Sequence, residues 1–138
     1  MTFSSKEIHR WLNPWPIKLK RRRWKIIVVP LRSCAKLTCF WKVDGKRKTI
    51  GWWAKMAAKG KVPDERQHYI HILARFHVPV LSTITAIAVI KDGAWTVIDG
   101  NYHLIAALSV KKYGHERHSL KCPVTWVGLV IPSRQSFK

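Results

Sequence analysis

Ala86-Ile87-Ala88-Val89-Ile90-Lys91-Asp92-Gly93-Ala94-Trp95-Thr96-Val97-Ile98-Asp99-Gly100-Asn101-Tyr102-His103-Leu104-Ile105-Ala106-Ala107 is the stretch that decides the fold. Two β-prone runs, Ala86–Ile90 and Ala94–Ile98, flank Asp92-Gly93. Asp-Gly between such runs predicts a hairpin, because a type I′ turn needs positive φ at both central residues. Asp99-Gly100 then leads straight into a helical segment, Asn101–Lys112. Leu104 to Leu108 are apolar on nearly every face, which predicts a buried helix, closed at its negative end by Lys111, Lys112 and Gly114.

Working outward, the segment after Pro63 reads as a helix. Asp64 and Gln67 have capping-box spacing, and Tyr69, Ile72, Leu73 and Phe76 recur on one face. Pro79 ends it. A second Asp-Gly, Asp44-Gly45, predicts a hairpin between Leu37–Val43 and Lys48–Trp53, followed by a short helix from Trp52 to Lys59. Lys25–Leu31 reads as a buried strand and Pro123–Ile131 as another. Asn13-Pro14-Trp15-Pro16 breaks any helix begun at Ser4 or Ser5, so residues 1–25 read as an arm. The expected fold is α+β, a small mixed β-sheet with packed helices, in one domain over residues 1–138.

Charge bounds the partner. Lys and Arg number 26 against 7 Asp and Glu in 138 residues, a formal net charge of +19. Seventeen of those cations and only two of the acids fall in residues 1–62. Such a surplus repels itself unless it meets phosphate, anionic lipid or an acidic protein. With 47% apolar residues a packed core is expected and wholesale disorder excluded. Val78–Ile90, the longest weakly polar run, is too short to span a bilayer, and no signal-peptide core opens the chain. Membrane insertion is therefore not expected. Cys34, Cys39 and Cys122 form no close pair, so free thiols in a reducing cytoplasm are expected.

The stretch quoted first resembles the ParB/sulfiredoxin fold family, in which strand, turn and strand precede an IDGxHRLxAA helix start. The likeness covers residues 63–131, including Cys122-Pro123-Val124-Thr125-Trp126, and leaves residues 1–62 as a basic, Trp-rich extension. It implies a bacterial, plasmid or phage protein on a ParB-like scaffold, with nucleotide or nucleic-acid phosphates bound at the turn. His103 stands where the family has Arg, Tyr102 where a basic residue precedes it, and Asn101 at the reactive Cys of sulfiredoxins. Peroxiredoxin repair is therefore not expected. Imidazole is also no equivalent of a permanently charged fork, so CTP or ATP hydrolysis is not expected either.

Two groups of residues carry the candidate chemistry. Gly100, Asn101, Tyr102 and His103 form a phosphate-binding turn, since the first helical N–H groups are exposed donors. There Asp99 acts as an N-cap accepting from the Tyr102 N–H, or as a metal or water ligand, and His103 as a phosphate contact or general base. Lys18, Lys20, Arg21, Arg22, Arg23, Trp24 and Lys25, with Lys46, Arg47 and Lys48, combine phosphate attraction with rings for stacking. Trp41 is assigned to the core. His68, His71 and His77 lack a matching carboxylate or Cys and are read as surface residues, and His115 and His118 as a solvated loop. The expected function is sequence-tolerant nucleic-acid binding, DNA ahead of RNA, without a cofactor. Two alternatives stand beside it: a metal-dependent nuclease or nucleotide hydrolase at Asp99 and His103, with Mg, and a small basic inhibitor of an acidic protein partner. Replacing Arg21, Arg22 and Arg23 with Ala should weaken DNA binding equally on all sequences. In a salt titration by filter retention, the log–log slope should flatten by up to about three, one unit per lost phosphate contact. Wild-type binding by this variant would refute the electrostatic reading.

Overall fold

Both Asp-Gly pairs adopt the geometry their sequence demands. Asp44 and Asp92 each have φ of 52°, Gly45 76° and Gly93 79°, so each pair turns the chain back tightly. The computed structural model describes residues 23–115 and 120–137. Asn13–Pro16, Lys18, Lys20, Arg21, Arg22 and His118 lie outside the described residues.

Six strands are described: β1 (Trp24–Pro30), β2 (Thr38–Val43), β3 (Lys46–Thr49), β4 (Ile84–Lys91), β5 (Ala94–Asp99) and β6 (Trp126–Pro132). They form one mixed sheet in the order β1-β6-β4-β5-β2-β3. β1 pairs antiparallel with β6, and β6 parallel with β4. β5 joins β2 in parallel through Thr38 opposite Thr96 and Cys39 opposite Val97. The chain is thus α+β with a mixed sheet. The basic first half is no mere extension, because β1, β2 and β3 belong to the same sheet as the second half. β1 is an edge strand with Val28 exposed, where the apolar run Ile26–Val29 suggested a buried one.

Helix α1 (Ile50–Ala58) begins two residues earlier than its Ala-rich stretch suggested. The Thr49 hydroxyl accepts from the Trp52 N–H at 3.1 Å, which caps the helix and cuts β3 to four residues. Helix α2 (Arg66–Ile72) continues as a π turn (Leu73–His77) and a 3-10 turn (Val78–Val80). The Asp64–Gln67 capping box does not form. Gln67 instead accepts from the Val62 N–H and donates to Ala57 O, fastening α2 to α1. Ile70, Leu73 and Ala74 are the buried face of this segment, whereas Tyr69 and Phe76 are 47% and 64% exposed. The buried face itself keeps helical spacing, at Ile70, Leu73, Ala74 and Val78, so the core takes a neighbouring stripe and leaves Tyr69 and Phe76 outside it.

Helix α3 (Asn101–Lys111) is buried from Leu104 to Ser109. It packs with α1, the π turn and the 3-10 turn Leu31–Lys36 over Ala86, Ala88, Val97, Val127, Leu129 and Ile131 of the sheet. A second cluster, Ile87, Val89, Ile98 and Val130 with Trp24, Ile26 and Phe40 beside it, is drawn from strands alone. Trp53 takes the fully buried place assigned to Trp41, which is only partly buried. All three cysteines are free, and burial pushes the Cys34 and Cys39 thiols up to about 12.

Gly100 seats α3. Its φ is 94°, and a Cβ there would stand 2.9 Å from Ala86 Cβ and 3.0 Å from Thr85 O. Gly93 also has positive φ, but open space surrounds it. Gly93→Ala should lose about 1 kcal/mol for the backbone conformation alone. Gly100→Ala should lose clearly more, because strand β4 must also move. Urea unfolding of both variants checks the order, and equal losses would refute the close-packing role.

Candidate functional site

A single residue, Gly100, separates β5 from α3, so the first side chains of the helix emerge beside β2 and α2. Tyr102 there meets Trp41 of β2 at 4.5 Å between ring centroids and Tyr69 of α2 at 4.6 Å. Trp41 stands edge-on to Trp53 at 5.1 Å, and Trp53 to Trp52 at 5.4 Å. Five rings from three helices and a strand are therefore in unbroken contact, running from the interior at Trp53 to the surface at Tyr69. Edge-to-face contacts of this kind match the positive rim of one ring to the negative face of the next.

Cations close this row. The Arg66 guanidinium lies 4.6 Å from the Trp41 ring centre and 5.9 Å from that of Trp53. It is held there by Asp64, whose carboxylate receives Nη1 at 2.7 Å. Lys48 Nζ stands 5.8 Å from the centre of Trp52. A guanidinium held over an indole and by a carboxylate is pre-ordered, so its remaining N–H donors can meet a ligand without the entropy loss of ordering a free side chain.

The turn itself differs from its expected chemistry. Asp99 is the last residue of β5, and Gly100 occupies the N-cap position in left-handed conformation with no side-chain cap. The Asp99 carboxylate instead accepts from the Gly100 N–H, and desolvation raises its pKa above the usual range despite this bond and the nearby His103. The carboxylate thus serves the N–H two residues before the Tyr102 N–H that an N-cap would take. Asn101 is buried, donates through Nδ2 to Val97 O at 2.9 Å, and leaves Oδ1 without a partner. Its side chain serves the strand–helix junction rather than an exposed anion site. Burial holds the His103 pKa below its ordinary value, with His77 adding to the effect and Asp99 opposing it.

The remaining candidates separate. Arg23, Trp24 and Lys25 lie at the β1 edge and Lys46, Arg47 and Lys48 on β3 at the other edge. Five strand spacings, roughly 24 Å, stand between them, so they do not make one patch. The separation arises because the chain passes from one edge strand, β1, to β2, the strand next to the opposite edge. His115 is fully buried and stacked on His71 at 5.3 Å, not part of a solvated loop. Among the described residues no three His, Cys, Asp or Glu side chains converge as a metal site would require. Sequence reading missed Arg66, Tyr69 and His77 as neighbours of the turn. An Arg two residues after the helix-start Asp64 was the one available signal. The chain matches no family model, no curated protein and no solved structure.

The two shifted groups bend the stability profile in opposite senses. His103, with a lowered folded pKa, withdraws stability as pH falls from its unfolded to its folded value. Asp99, with a raised one, restores stability as pH falls through the window just above the ordinary carboxylate value. Asp99→Asn should therefore leave stability at pH 7 equal or higher and remove that acid-side gain. Thermal melts across pH check this, and a loss of about 1 kcal/mol at pH 7 would restore the capping role.

Proposed function

We propose that this protein binds nucleic acid with little regard to sequence, stacking bases at the exposed end of the ring row and drawing in phosphates with the surrounding cations. The observation that carries this reading is the five-ring row ending at exposed Tyr69, with Arg66 laid against Trp41. Every base has a π face, so stacking tolerates any sequence, and the +19 charge supplies a sequence-blind attraction. The strand–Gly100–helix junction supports the ParB-like scaffold and, with it, a plasmid, phage or bacterial setting in the cytoplasm. No described helix is long and apolar enough to cross a membrane. DNA remains ahead of RNA in this reading.

One observation favours the enzyme reading as a second: His77 and Asp99 both act electrostatically on His103 at the start of α3. A carboxylate beside two imidazoles suits the acid–base steps of a nuclease or nucleotide hydrolase. Mg, an oxygen-seeking ion, would there be held by substrate phosphates and Asp99 and not by the imidazoles.

One assay addresses both readings. Tyr69→Ala removes an exposed ring, so the fold should persist while affinity for single strands falls roughly tenfold, within the stacking contribution of about 1–3 kcal/mol per base. The salt slope should stay unchanged, because no cation is lost. Undiminished affinity refutes the stacking role. Absence of binding at low salt favours the acidic protein partner instead. Chelator-sensitive cleavage lost in Asp99→Asn would put the enzyme first.

A further inference from the structure

The β2–β3 hairpin has a second side. Trp41 and Val43 face the main core, so Phe40 and Lys42, which alternate with them, lie on the other face, and Arg47 sits directly across from Lys42. An irregular register between Thr38 and Lys42 bends this ribbon. Arg47 thereby reaches the neighbouring hairpin, donating Nη1 to Asp92 at 3.0 Å and Nε to Phe40 O at 3.2 Å. Between the two hairpins lies a hollow of about 430 Å³, walled by Thr38, Lys42, Arg47, Lys91 and Thr96 and closed by Gly45, Lys46, Asp92 and Ala94.

Its charge is one-sided. Four cations line it against the single carboxylate of Asp92, which Arg47 already binds. Lys42, Lys46 and Lys91 have no ion pair among the described residues. Arg47 and Lys91 each stand near the Phe40 ring, at 5.5 and 5.3 Å from its centre, which ties both to the same side chain. Four like charges around one hollow are relieved by an anion, and one of high charge density relieves them best. Lysines suit such a ligand, as compact point charges with donors that rotate to meet oxygens. The volume is that of a small-molecule site.

We propose that this hollow binds a chain of linked phosphoryl groups, as in inorganic tripolyphosphate or the tail of a nucleoside triphosphate. The site lies on the side of the hairpin away from the ring row and does not depend on the nucleic-acid reading. Both sources share the phosphoanhydride chain.

The test is a titration of the full chain with sodium tripolyphosphate, followed by the backbone amide signals of Gly45 and Gly93. Sodium sulfate at equal ionic strength is the comparison. Saturable shifts at both glycines with tripolyphosphate and not with sulfate are expected, and ATP should compete for the same signals. The doubly substituted Lys42→Glu, Lys91→Glu chain should lose at least tenfold in affinity, while exposed and remote Lys112→Glu, Lys121→Glu keeps it. Tyr69→Ala should also keep it, whatever becomes of nucleic-acid binding. Shifts that follow ionic strength alone, ATP acting on different amides, or full affinity in the Lys42, Lys91 variant would each overturn the proposal. Should the charge-reversed pair fail to fold, Lys42→Gln, Lys91→Gln decides the matter in the same way.

Discussion

Contact between Gly100 and strand β4 is the constraint on which the rest depends. With φ at 94° and Ala86 within 3 Å of where a side chain would begin, the chain leaves β5 and becomes helical within one residue. That brevity drops Leu104, Ile105, Leu108 and their neighbours into the centre of the core and sets the direction of α3. It also leaves Tyr102 at the rim, where β2 and α2 bring Trp41 and Tyr69 to it. Core and candidate surface are therefore set by the same junction. A longer connection would satisfy the helix but would release Tyr102 from its two neighbours.

Much of this architecture was legible because its signals were local. Asp44-Gly45 and Asp92-Gly93 announce their turns through the one conformation that suits both residues, and both hairpins form. Leu104–Leu108, set between Asp99-Gly100 and Lys111, Lys112 and Gly114, reads as a buried helix and forms one. What escaped were features that depend on which elements meet. Nothing in Lys25–Leu31 says that it ends at a sheet edge, since a run of Ile and Val serves either position. Tyr69 and Phe76 fall on an apolar stripe by counting, but the core takes the neighbouring stripe of Ile70, Leu73, Ala74 and Val78, and helical spacing alone does not choose between the two. Arg66 is unremarkable in sequence and becomes central only because Asp64 holds it over Trp41.

The candidate site shows the same division. Tyr102 and His103 were found through the turn that they follow, and the structure places both beside further aromatic or titratable groups. Asp99 and Asn101 were found the same way but carry different chemistry: one accepts from the residue after it, the other braces Val97. The basic residues were legible as charge and illegible as geometry. Sequence proximity suggested one surface, whereas the crossing from β1 to β2 places Arg23 and Lys25 at one edge and the Lys46–Lys48 group at the other. A ligand touching both would have to span the sheet.

The exposed side of β1 has a consequence for how copies of this chain behave together. Among the described residues β1 is an edge strand, and such a strand, rich here in Ile and Val, favours strand addition. Val28 and Trp126 lie exposed beside it, with Thr83 and Gly128 completing an apolar recess of about 390 Å³. Lys25 and Pro30 interrupt the strand at its ends, and the overall charge keeps two copies apart at long range. That repulsion reaches only about 10 Å in 0.1 M salt and about 3 Å in 1 M. Among the described residues the guard against edge-to-edge pairing is thus colloidal, and concentrated salt, commonly used to strip polyanions from basic proteins, removes it at the same time.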